Sequence, residues 1–122
     1  MKYLILMQVD PTVLEGLDDD QQKLIMDGHQ KFMADTTASG EMLSTNALGD
    51  PSQTTTVRAR NGKPEVTDGP YAESKEFMGG YYLLDVESKE RAIELAQQIP
   101  DAQIDGLALE IRPVMFSGGE PL

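Results

Sequence analysis

The chain has no cysteine, which excludes disulfides, thiol nucleophiles and thiolate metal sites together. Histidine occurs once, at position 29, and a typical zinc site wants more nitrogen or sulfur donors than one imidazole among carboxylates supplies. Positive charge is scarce: 10 Lys and Arg stand against 21 Asp and Glu, a net charge of −11 that repels a phosphate backbone. No direct nucleic-acid partner is expected, and no cofactor or metal. No apolar stretch approaches the length of a bilayer crossing. Met1 to Met7 resembles the start of an export signal, but Gln8 and Asp10 interrupt its apolar run, and a strand is the better reading. The expectation is a soluble, cytoplasmic protein with no membrane partner. Gly79-Gly80 and Gly118-Gly119 are isolated pairs outside any phosphate-binding loop, and Ser44, Ser74 and Ser117 lack a nucleophile-elbow setting.

What is present is the balance of an ordinary globular domain, 39% apolar and 25% charged, and 122 residues suffice for one core and not two. Residues 1–122 are therefore taken as a single domain. Tyr3 to Val9 is apolar on both alternating faces and reads as a strand covered on both sides. Asp18-Asp19-Asp20 precedes a helical pattern that stops at Gly40; Asp19 and Gln22 have capping-box spacing, and Leu24, Ile25, Gly28, Phe32 and Thr36 mark its inward stripe. Capping explains these aspartates better than a cation site does.

Met42 to Leu48 reads as a strand. Thr55–Arg60 and Lys63–Thr67 flank Asn61-Gly62, a hairpin signal suited to a type I′ turn, and Pro64 places the return strand at an edge. A strand over Tyr81–Val86, a helix capped by Ser88 and stopped by Pro100, and a strand over Leu107–Arg112 follow. Two strand-helix-strand halves predict an α+β fold, a ferredoxin-like split βαβ plait with an inserted β-hairpin. Its helices cover one sheet face only. Because the first strand is apolar on both faces, a homodimer formed through the other face is expected, with an interface of order ~1,600 Å² or more.

The densest group of polar residues is Asp68-Gly69-Pro70-Tyr71-Ala72-Glu73-Ser74-Lys75-Glu76, followed by Gly79-Gly80, which combines a turn, ionisable groups and a hinge-like glycine pair. A solvated turn between strands would also explain it. His29 borders the buried stripe of its helix. A lone helix histidine is more often structural than catalytic, yet its unperturbed pKa near ~6.5 suits proton exchange near neutrality, and Asp68 or Glu73 could orient it. Tyr71, Glu73 and Lys75 from the loop, with Arg112 from the last strand, are candidate ligand-binding residues on the same pocket wall.

The motif, Gly79-Gly80-Tyr81-Tyr82, the Thr55-Thr56-Val57-Arg58 hairpin and the ending Glu110-Ile111-Arg112-Pro113-Val114 together resemble the DGPF-motif branch of the YCII-related family, with Tyr71 where the name motif has phenylalanine. That resemblance implies a dimeric α+β barrel and an active-site pocket with a histidine and an aspartate, best matched here by His29 and Asp68. It also implies association with an extracytoplasmic-function sigma factor. Two functions are expected on this basis. One is a cofactor-free acid–base enzyme acting on a small molecule through His29 and Asp68; the other is a non-catalytic ligand-binding or regulatory module.

Overall fold

The central strand β1 (Lys2–Val9) buries Tyr3, Ile5 and Met7 on one face and pairs antiparallel on both edges, with β5 (Phe77–Asp85) and with β6 (Ala108–Pro113). Strand β2 (Met42–Ala47) pairs antiparallel with β5, giving a four-stranded sheet in the order β2-β5-β1-β6. The order is consistent with a ferredoxin-like sheet. A separate two-stranded sheet is made by β3 (Thr55–Arg60) and β4 (Lys63–Asp68), joined at Asn61 and Gly62, both at positive φ as the Asn-Gly signal requires. This computed structural model describes residues 1–71 and 76–119. Among them no helix is long and apolar enough to cross a membrane.

Two longer helices lie over one face of the sheet: α2 (Asp19–Ser39), which follows the short α1 (Pro11–Glu15), and α3 (Lys89–Ala96). Phe32 of α2, with Ala92, Leu95 and Ala96 of α3 and the following Ile99, packs on Tyr3, Ile5, Tyr82 and Leu84 to form the core. Each fully buried aliphatic side chain there, Ile5, Leu84 or Ile99, contributes roughly 1.5–3 kcal/mol by leaving water. The opposite face carries Leu4, Leu6, Tyr81 and Leu83, which no helix covers and which remain half-buried.

Several local expectations are corrected. The capping box of α2 is Asp18 with Gln21, not Asp19 with Gln22: Asp18 keeps an extended backbone and accepts from the Gln21 amide at 2.8 Å, while the Gln21 side chain returns a bond to the Asp18 amide. Leu24 is 46% exposed and stands outside the inward stripe. Helix α3 ends at Ala96, and a 3₁₀ turn at Pro100–Gln103 follows the stop that Pro100 imposes. Gly79-Gly80 is strand rather than hinge. A Cβ at Gly79 would meet Val9 Cγ2 at 2.8 Å and one at Gly80 the Asn46 carbonyl at 2.6 Å, beside a register shift at Met7/Gln8. The pair is small because neighbouring strands press close, where a side chain would not fit.

Arg91 of α3 joins the far end of this layer to the segment between α2 and β2. Its Nε and Nη2 donate to the two carboxylate oxygens of Glu41, each at 2.9 Å, in a bidentate pair. Hydrogen bonding from Arg91, reinforced by Ser39, holds the Glu41 carboxyl below its ordinary 4.5 despite some opposing desolvation. A carboxyl with a lowered native pKa adds stability above its unfolded value, and that contribution disappears as pH falls through the native one. Urea midpoints measured from neutral to acid pH are expected to fall less steeply below about 4.5 in Glu41→Gln than in the wild type. Parallel curves would assign the acid sensitivity elsewhere.

Candidate functional site

His29 lies one turn before Phe32 on α2, half-buried at the edge of the core. Its position depends on the preceding residue. A Cβ at Gly28 would lie 2.9–3.2 Å from the ring carbons of Pro100, so only glycine lets the Pro100–Gln103 turn approach α2 this closely. That approach brings Asp101 to the imidazole: His29 Nε2 is 2.8 Å from Asp101 Oδ1. On the other side His29 Nδ1 is 2.7 Å from the Tyr82 hydroxyl of β5, with the two rings stacked at 5.9 Å between centroids and 23° between planes. Tyr82 in turn packs at 4.7 Å against Phe32. The three polar groups therefore reach one point from α2, from the turn after α3 and from the sheet.

The protons follow from the partners. A carboxylate only accepts, so Asp101 draws the Nε2–H, which leaves Nδ1 of a neutral imidazole to accept from the Tyr82 hydroxyl. Burial, and secondarily the charge of Asp101, pushes the Tyr82 phenol up to about 12. It is thus a neutral O–H donor throughout the physiological range. Asp101 is only 4% exposed, and a buried carboxylate needs such a partner to be tolerated.

These groups line a cavity of about 370 Å³ whose remaining wall is mainly Met7, Val9, Ile25, Met33 and Leu107, with Thr45 beside Tyr82. Among the described residues no group of three or more His, Asp or Glu side chains is gathered as a metal site.

The expected pairing of His29 with Asp68 is corrected. Both ring nitrogens of His29 are taken by Tyr82 and Asp101, whereas Asp68 closes β4 opposite Thr55 and does not line the His29 cavity. The turn at Gly69, φ 98, is tied back onto the hairpin by its amide to the Thr54 carbonyl at 2.8 Å and by Thr56 Oγ1 to its carbonyl at 2.6 Å. Tyr71 is 75% exposed and lines a different cavity, of about 670 Å³, with Asp50, Thr54 and Phe77. Arg112 sits opposite Leu4 in the β1–β6 ladder, on the sheet face away from His29. Glu73 and Lys75 lie outside the described residues.

Asp101 and Tyr82 are the site residues the sequence reading missed. Tyr82 stood within the recognised Gly-Gly-Tyr-Tyr run, and strand alternation alone puts it on the Leu84 face. Asp101 offers one weak signal, an acid directly after Pro100 and between the apolar Ile99 and Ile104. Alkaline difference absorbance tests the geometry at Tyr82. Its phenol is expected to titrate near 12, and that step should vanish in Tyr82→Phe. Since its native pKa is raised above the ordinary 10.0, the stability it lends is complete below that value and lost as pH climbs toward 12.

Comparison with known proteins adds the family. An uncharacterised protein of Rhizobium meliloti (strain 1021) is 26% identical over 121 residues, covering 98% of each chain. The solved 5-chloro-2-hydroxyhydroquinone dehydrochlorinase of Burkholderia phenoliruptrix AC1100, in complex with 2,5-dihydroxybenzoquinone, aligns over 96% of both chains at 13% identity. Its TM-score is 0.49, a likeness too slight to bear on fold or activity. The YCII-related domain model matches residues 1–116, nearly the whole chain, and the protein therefore belongs to the YCII-related family.

Proposed function

We propose that this YCII-related protein is a cofactor-free acid–base enzyme for a small molecule held in the His29 cavity, with Asp101 rather than Asp68 as the carboxylate of the pair. The observation that carries this reading is an imidazole hydrogen-bonded at both nitrogens, 2.8 Å from a buried carboxylate and 2.7 Å from a phenol, at the wall of an apolar cavity. In such a row Asp101 holds the ring in one tautomer and stabilises the imidazolium that forms when His29 takes a proton. A ligand proton reaches Nδ1 in one of two ways: the ligand displaces the Tyr82 hydroxyl, or Tyr82 passes its own proton to Nδ1 and takes the ligand's.

The non-catalytic alternative uses the same cavity, and one set of measurements separates the two. In a broad screen for turnover of small molecules, any activity found should fall by about 10²–10⁴-fold in His29→Gln and Asp101→Asn, the range usual for an acid–base group. Asp68→Asn should stay near wild type. Activity that survives His29→Gln removes the acid–base reading, and ligands that bind without turnover favour the binding module.

For the assembly we propose a homodimer that closes the face of Leu4, Leu6, Tyr81 and Leu83, which the helices leave open, into an α+β barrel. Supporting it are that half-buried apolar face and the exposed Met115 and Phe116 beyond β6, 98% and 82% accessible. Membership of the DGPF-motif branch is proposed on Asp68-Gly69-Pro70-Tyr71 and its tied turn. Light scattering at micromolar concentration should give twice the 13.4 kDa chain mass, and Leu6→Glu should return it to the monomer value. A monomeric wild type would refute the assembly.

A further inference from the structure

We infer that the His29 cavity takes a small uncharged molecule that brings its own hydroxyl or amide proton, and that it discriminates against carboxylates, phosphates and ammonium ions. This rests on the reading of that cavity as a ligand site. The argument is an inventory of the wall. Its polar side chains are His29, Thr45, Tyr82 and Asp101; no Lys or Arg lines it among the described residues. Each proton these groups carry is already committed within the protein. Thr45 Oγ1 donates to the Tyr81 carbonyl at 2.8 Å, the Tyr82 hydroxyl is given to His29 Nδ1, and the Nε2–H is given to Asp101. With a neutral imidazole, these side chains therefore offer an entering molecule oxygen lone pairs and no N–H or O–H.

An anion, which only accepts hydrogen bonds, would find no side-chain donor there, and it would meet the Asp101 carboxylate at close range. The chain's net charge of −11 adds to its exclusion. An ammonium ion finds acceptors but must leave its hydration for walls of Met7, Val9, Ile25, Met33 and Leu107, and the one carboxylate is already hydrogen-bonded by His29. A neutral hydroxyl or amide escapes both penalties. It can donate to the Thr45 or Tyr82 oxygen and bury its apolar part, and its proton is the one an imidazole base could remove.

The single histidine makes the test direct, because only one imidazole contributes ring signals. Benzyl alcohol, benzamide, benzoate, phenyl phosphate and benzylamine share one ring and differ in charge. Each is titrated at neutral pH into the isotope-labelled full chain while the His29 ring resonances are followed. Benzyl alcohol and benzamide are expected to shift them saturably, with affinities at least tenfold above those of the three charged probes. A charged probe that binds within tenfold of the neutral pair, or more tightly, overturns the inference and leaves the cavity standing as a ligand site. If no probe moves the His29 signals up to its solubility limit, the inference and the ligand-site reading fail together.

Discussion

The contact on which the site depends is the close approach of the Pro100–Gln103 turn to α2 at Gly28. It is a steric condition before it is a chemical one. With any Cβ at position 28 the proline ring would have to move away, and Asp101, the next residue in that turn, would move with it. The hydrogen bond to His29 then satisfies a buried carboxylate that otherwise has a costly place in the core. Packing creates the geometry and the hydrogen bond secures it.

The helical layer has a second tether at its other end, where Arg91 grips Glu41. The two tethers differ in kind. The Glu41 side chain is 17% exposed and that of Arg91 29%, so their pair works partly in solvent screening and serves mainly to hold α3 near the end of α2. The Asp101 side chain is 5% exposed and that of His29 21%, so their pair lies deeper and touches a cavity.

Both regions that stood out in the sequence carry structure, though in separate places. The Asp68–Tyr71 turn belongs to the hairpin and borders the larger cavity beside Phe77, while His29 serves the smaller, apolar one between helices and sheet. The structure splits what sequence reasoning had merged, because the hairpin pairs only with itself and forms its own sheet. A carboxylate at the end of β4 is thus attached to a different layer from the imidazole.

What the sequence by itself determined is local. The apolar run Tyr3–Val9 specifies a strand, Asn61-Gly62 specifies a hairpin through its positive φ values, and Ser88 and Gly40 mark where helices begin and end. Such features rest on the conformational preferences of neighbouring residues, so they can be read from neighbours. It also singled out His29, since no other imidazole exists. The identity of its partners was decided by tertiary structure. Asp101 lies 72 residues away and Tyr82 53 residues away, and several carboxylates were equally eligible by residue type. Only the layer packing of α2 on the sheet, with a glycine where the turn presses in, selects one of them, because hydrogen-bond distance is a property of folded space and not of spacing along the chain.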